Sequence, residues 1–244
     1  MSEPDLVYLP ATEALARFRA RTLSPVDLMR AVIDRAQSQE PTINAFTFTH
    51  YERALDQARA AEARYNAGRP VGPLDGLPVA IKDESYIAGE PTSSGSLLMR
   101  DFVPEVTSPV NQRVLDAGGI VHARTATPEF SCAAFTWSRL WGVTRNPWNP
   151  DYTPGGSSGG SAASLAAGTS MLATGSDIGG SIRIPASACG LVGYKPPDGR
   201  NPEDAPFNLD FYCHAGPLAR TVADTILLQN VMCGPHPQDI ATLR

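Results

Sequence analysis

Residues 152–181 read YTPGGSSGGSAASLAAGTSMLATGSDIGGS: two turns rich in glycine and serine, joined by a run of small residues. A glycine pair ahead of a serine lets the backbone come close to a ligand and turn its N–H groups inward, because no Cβ blocks the approach. The stretch therefore predicts an anion-stabilising cradle with a serine inside it. Its middle, residues 161–168, is alanine-rich and predicts a helix able to pack tightly on a sheet. Residues 171–174 predict a buried strand.

On the N-terminal side, Ser24-Pro25-Val26-Asp27 has the form of a capped helix start, and Val26, Met29, Ile33 and Ala36 follow at helical spacing. Residues 42–49 fit either a short strand or the lead-in to a helix. A second helix over 51–67 stops at Gly68 with Pro70 beyond. The apolar run Leu77-Pro78-Val79-Ala80-Ile81 predicts a strand that presents Lys82 at its end. Ser108-Pro109 opens a helix over 110–117, and a strand over 120–123 follows, which gives a βαβ rhythm. Beyond the cradle, residues 191–194 predict a strand and 197–211 a surface excursion. A last helix over 221–232 places Val222, Ile226, Leu227 and Val231 on one side. Alternating strands and helices indicate α/β organisation.

Composition narrows the function classes. The 244 residues are 42% hydrophobic and 18% charged, which is ordinary globular material for one large core. A net charge of −5 repels phosphate, so neither nucleic acid nor an anionic membrane is an expected partner. No apolar run reaches the roughly 18 residues of a membrane span, and the start is no signal peptide; a cytoplasmic protein is expected. Cys132, Cys189, Cys213 and Cys233 lack zinc-ligand spacing and are expected to be buried free thiols. His50, His122, His214 and His236 form no close metal pair.

Several patterns in the cradle admit other chemistry. Gly155-x-Ser157-x-Gly159 and Gly156-x-Ser158-x-Gly160 both match a nucleophile elbow, but a G-G-S-S-G-G run matches it twice by composition, and such a serine needs a histidine partner. No G-K-[ST] follows the glycines, so a phosphate-binding P-loop is excluded. Phe130, Phe135, Trp137 and Trp141 fit an acyl pocket or ordinary core packing. Lys195 is expected to be structural.

Three motifs together are far more specific: G-L-P-V-A-I-K-D over 76–83, P-G-G-S-S-G-G-S-A-A over 154–163 and G-S-D-I-G-G-S-I-R-I-P-A over 175–186. With A-G-E-P-T-S-S-G-S, T-A-T-P-E-F, N-P-W-N-P, G-L-V-G-Y-K-P and G-P-L-A-R-T-V-A-D, the chain closely resembles the amidase signature family. The match runs from about Gly72 to Cys233 and departs at K-P-P-D-G-R-N-P, a departure that bears on the loop shape expected there and not on the chemistry.

The resemblance implies a mixed central sheet with helices on both faces, incomplete in this chain. Residues 1–70 would form an N-terminal helical segment. Residues 71–244 would form the N-terminal part of a single catalytic core whose C-terminal half is absent from this chain, which would either pair with a second polypeptide or be a truncated or cleaved form. It also implies a Ser-cisSer-Lys triad, with Ser181 as nucleophile, Ser157 as bridge and Lys82 as base, and a cis peptide bond entering Ser157. The N–H groups of Ile178, Gly179, Gly180 and Ser181 would hold the oxyanion. Ser158 would steady the loop, and Asp177 and Arg183 would be framework hydrogen-bonding groups.

Acid-base physics sets a condition on Lys82. A free lysine titrates at about 10.4, so a base at neutral pH needs its value brought toward about 7 to 8, a difference of about 4 kcal/mol. Burial supplies that shift only if no carboxylate pairs with the amine. Asp83 lies on the opposite face of an extended segment, so Lys82 is expected to be unpaired.

The implied activity is hydrolysis of a linear amide, or of a carbamate or urea-like relative, with no metal or organic cofactor. A glutamine-hydrolysing subunit of an amidotransferase is one alternative, and a non-catalytic half-domain binding module is another. The expected partners are a small-molecule amide and a second polypeptide or fragment completing the pocket. Homo-oligomerisation is left open.

Overall fold

The strand Pro78–Lys82 (β2) has all five residues buried, as expected of a strand covered on both faces. The computed structural model describes residues 6–243. β2 runs parallel to Ile120–Thr125 (β3) on one side and to Leu172–Asp177 (β6) on the other. The connection from β2 to β3 carries the helix Pro109–Asp116, as a parallel crossover requires. Phe46–Thr49 (β1) adds antiparallel to β3. His214–Ala219 (β8) adds antiparallel to β6, and the short Val192–Gly193 (β7) adds antiparallel to β8. The sheet order is β1-β3-β2-β6-β8-β7, so the sheet is mixed. Trp137–Ser138 (β4) and Gly142–Val143 (β5) form a separate two-stranded ribbon.

Alternate residues of β2 face opposite layers. Val79 and Ile81 pack with Phe18 of the helix Ala11–Ala20, Val114 of Pro109–Asp116 and Leu228 of the helix Val222–Met232. Ala80 packs instead with Ala162 and Leu165 of the helix Gly159–Ala166, and with Ala186 of the helix Arg183–Cys189. Lys82, two residues beyond Ala80, therefore leaves the strand on the side of the serine-bearing helix.

That helix is buried at all eight positions, and its small side chains let it sit almost in contact with the sheet backbone. Gly160 marks the closest approach: a Cβ there would lie 2.4 Å from Ala126 N and 2.7 Å from Ala45 O. Ser161 Oγ donates to Thr174 O at 2.8 Å and shares a 2.7 Å hydrogen bond with Thr125 Oγ1, so the helix is fixed in register with β3 and β6.

The N-terminal segment is less uniformly helical than expected. Ser24 Oγ caps the helix Pro25–Ile43 by accepting Val26 N–H at 2.9 Å, and Tyr51–Asn66 forms the next helix. Between them the ambiguous residues 42–49 resolve into β1, so the segment over 1–70 also supplies a sheet strand. The expected face of the helix Val222–Met232 is split, with Leu227 and Val231 partly buried against the core. Val222 and Ile226 are exposed, while Leu228 and Met232 are buried, because apolar residues are spread around this helix and periodicity does not choose a side. All four cysteines are free, but only Cys189 is buried. Among the described residues, no helix is long and apolar enough to cross a membrane.

Gly160→Ala is expected to lower stability by about 1–3 kcal/mol, since the added methyl meets backbone rather than a movable side chain. Urea denaturation measures it, and an unchanged midpoint contradicts the close-packing argument.

Candidate active site

The chain turns sharply after β2. Glu84 N–H and Ser85 N–H both donate to Lys82 O, at 2.8 and 3.3 Å. Arg124, opposite Ile81 in the register of β3, is fully buried beneath this turn. Its guanidinium donates to Lys82 O at 3.3 Å and to Ser85 O, which locks the turn in place. Asp83 does point away, as an extended strand demands, and accepts from the backbone N–H and hydroxyl of Ser93.

Lys82 is only 1% exposed. Its Nζ lies 2.7 Å from Ser157 Oγ and 2.9 Å from Ser176 Oγ. The expectation that it would be unpaired is wrong: Glu84 Oε1 lies 3.1 Å from Nζ. Strand alternation removes Asp83, but the turn brings the next residue back to the lysine's own side. Burial is the largest influence on the amine and pushes its pKa below the ordinary value, while the Glu84 carboxylate opposes that shift. Burial pushes the Glu84 carboxyl up, but Lys82 together with the Ser131 and Ser176 hydroxyls outweighs it, so Glu84 is held below its ordinary value.

The peptide bond between Gly156 and Ser157 is cis. Thr136, which sequence reasoning passed over, braces this loop: its hydroxyl donates to Gly155 O at 2.9 Å and accepts from Gly159 N–H at 3.1 Å. Ser158 N–H donates to Ser181 O at 3.1 Å, and Ser158 Oγ accepts from Ser176 N–H at 3.3 Å, so Ser158 ties the two serine turns together.

Asp177, at the end of β6, organises the second turn. It accepts from the backbone of Gly180, Ile182 and Arg183, and pairs in two places with the Arg183 guanidinium at 2.9 Å. Gly180 N–H is thereby consumed at 2.7 Å, which removes it from the expected oxyanion set. Among the described residues, the N–H groups of Ile178, Gly179 and Ser181 meet no acceptor, and neither does the Ser181 hydroxyl. Lys195 fastens the same turn from outside, donating to Ile178 O at 3.0 Å and Tyr212 O at 2.6 Å.

Lys82, Ser157, Ser176 and Ser181 share a cavity of about 530 Å³. Met99, Phe130 and Phe207 add apolar wall, and Glu203 and Asp204 add acid. The segment expected as a surface excursion over 197–211 thus folds across the cavity, anchored where Ala215 N–H donates to Glu203. Burial pushes the Glu203 carboxyl up to about 8 and the Cys213 thiol up to about 12. Of the four aromatics left between pocket and core, Phe130 lines the cavity. Phe135 and Trp137 are exposed, and Trp141 stacks edge-on against Phe48 while donating to Ser93 Oγ. Among the described residues no histidine lines the cavity, and His214 Nε2 faces Phe211 O instead, so the elbow reading finds no base there. Among the described residues, no group of His, Cys, Asp and Glu is placed to hold a metal.

A family model described as Amidase matches residues 27–244. The chain belongs to the amidase signature family. It is 41% identical over 239 residues to a glutamyl-tRNA(Gln) amidotransferase subunit from Chloroflexus aurantiacus, covering 96% of this chain and 48% of the relative. The corresponding amidotransferase subunit from Acidothermus cellulolyticus is 40% identical over 243 residues, covering 98% and 48%. Among solved structures, a bacterial aryl acylamidase of the amidase signature family superposes with a TM-score of 0.91 at 34% identity, covering 97% of this chain and 50% of that one. The native peptide amidase of Stenotrophomonas maltophilia gives 0.89 at 32%, covering 96% and 50%. The chain therefore spans about half the length of the relatives it matches.

Asp177→Asn is expected to lower stability by about 2 kcal/mol through lost charge-assisted hydrogen bonds. Burial pushes the Asp177 carboxyl up, but Arg183 and the backbone donors outweigh it and hold the group well below the carboxylate range. Its contribution is therefore complete above about pH 4 and disappears as the pH falls through the folded-state value. Urea midpoints of the two proteins should converge on acidification, and a constant gap would contradict this role.

Proposed function

We propose that this chain carries the reaction centre of a serine amidohydrolase acting on a linear amide, or a carbamate or urea-like C–N bond. The observation that carries the reading is the 2.7 Å contact between a buried lysine amine and Ser157 Oγ, on a cavity that Ser181 also lines. Neutral Lys82 takes the Ser157 proton while Ser157 takes that of Ser181. Ser181 Oγ then bonds to the carbonyl carbon. The free N–H groups of Ile178, Gly179 and Ser181 receive the oxyanion, each effective donor being worth about 3–4 kcal/mol. The C–N bond breaks as the proton returns through Ser157 to the departing nitrogen. Water, deprotonated by the same relay, cleaves the acyl ester and frees Ser181. The Ser181 hydroxyl closes on Ser157 when substrate fills the cavity, because catalytic hydrogen bonds often tighten only in the complex.

A pocket completed by residues beyond this chain, on a second polypeptide or fragment, belongs to the same proposal. Its support is the exposure of large apolar side chains, among them Trp148, Leu209, Phe211 and Tyr212. The roughly 40% identity to amidotransferase subunits favours a second reading, in which the amide is that of glutamine and the ammonia passes to a partner.

A fluorophosphonate probe is expected to form a covalent adduct on Ser181, located by peptide mass mapping. Lys82→Ala and Ser157→Ala should each slow labelling by about 10²–10⁴-fold. An adduct on Ser158, or variants that label at the wild-type rate, would contradict the assignment. Ammonia release from glutamine, set against release from simple amides, separates the two substrate readings.

A further inference from the structure

Glu84 has no part in the proton relay, yet it is the ionisable group nearest the amine that drives it. The Lys82 amine has three oxygen neighbours, on Ser157, Ser176 and Glu84. An ammonium donates to all three. A neutral amine has two N–H bonds and one lone pair, and any of the three neighbours could in principle face that lone pair. Only a neighbour that gives up a proton there makes the amine a base toward it.

We propose that Glu84 is a positioning residue that directs the Lys82 lone pair at the Ser157 hydroxyl. An ionised carboxylate can only accept hydrogen bonds, so the amine must point one N–H at it. The Ser176 hydroxyl also donates toward Glu84 and helps hold its carboxyl below the ordinary value, and Ser131 donates to Oε2. With its proton committed to Glu84, Ser176 Oγ is left as an acceptor for the second amine N–H. Ser157 is then the one neighbour able to donate to Lys82. A single carboxylate thus fixes the sense of three hydrogen bonds.

Glu84 is held where this requires it. Its N–H closes the turn onto Lys82 O at 2.8 Å, and Arg124 clamps that turn through Lys82 O and Ser85 O. The charge has a second effect. A carboxylate 3.1 Å from the amine favours the ammonium and restrains the drop that burial imposes, so the base keeps affinity for the proton it must hold. Asp177 on β6 acts on Lys82 in the same direction, and the Glu84 charge in turn helps push the Glu203 carboxyl up.

The inference rests on Lys82 being the base, and its test separates the two claims. Lys82 and Lys195 are the chain's two lysines, so protein labelled with ¹³C-lysine gives two resolvable titrations. In Glu84→Gln, which keeps the shape and removes the charge, the Lys82 midpoint should fall by about one pH unit or more relative to wild type. Fluorophosphonate labelling of Ser181, measured above both midpoints, should slow at least about tenfold, because the Gln amide can donate to Ser176 and release the lone pair from its direction. Glu84→Asp, which keeps the charge but withdraws it by one methylene, should lose the plateau rate with a smaller midpoint change. A group that merely supports the turn would leave the midpoint where it was. A depressed wild-type midpoint that Glu84→Gln leaves in place, or raises, overturns the role of Glu84 alone. A wild-type Lys82 that titrates at its ordinary value overturns the base assignment and this role with it.

Discussion

A primary amine sealed into the centre of a sheet, touching a serine hydroxyl at 2.7 Å, is the constraint on which the remaining architecture depends. A solvated lysine at that point would be an ordinary cation. Burial makes its charged form expensive, and burial requires β2 to be a central strand with layers on both faces. The small-residue helix Gly159–Ala166 serves the same end. Larger side chains would lift it from the sheet and carry Ser157 away from the amine.

The ion pair with Glu84 changes how that burial acts. Lowering a lysine by desolvation alone would leave a weak base as well as a neutral one. A carboxylate in contact restores part of the proton affinity while the dry surroundings still hold the amine below its usual value. The serine turn is governed by the same economy of polar groups. Asp177 draws Gly180 N–H, Ile182 N–H and Arg183 onto itself, and in doing so leaves Gly179 and Ser181 with N–H groups turned elsewhere.

Much of this was legible in the sequence because it follows from short-range rules. The apolar run Leu77–Ile81 places Lys82 at a strand end, and extended geometry sends Asp83 to the other face, as observed. Glycines ahead of serines identify two close-approach turns, one of which contains the cis bond. What escaped depends on geometry that no periodicity encodes. Glu84 returns to Lys82 through a two-residue turn, Arg124 reaches that turn from a neighbouring strand, and Thr136 braces the cradle from a loop 19 positions from Gly155. The Pro- and Asp-rich segment over 197–211 has the composition of a surface loop, yet a buried Asn201, donating to Ala215 O at 2.9 Å, pulls it over the cavity. The helix Val222–Met232 spreads its apolar residues around its circumference between Asp224, Thr225, Gln229 and Asn230, so its packing partners decide which face is buried.

The most direct test of the central claim is the rate at which a fluorophosphonate phosphonylates Ser181, with loss of fluoride, in the wild-type protein as the pH is raised. An ammonium at position 82 cannot accept a proton, so the rate should be low in acid. It should climb as the ammonium loses its proton and level off with a midpoint well below the roughly 10.4 of a free lysine. A rate that keeps rising through pH 10, or that follows no lysine titration at all, would contradict the account.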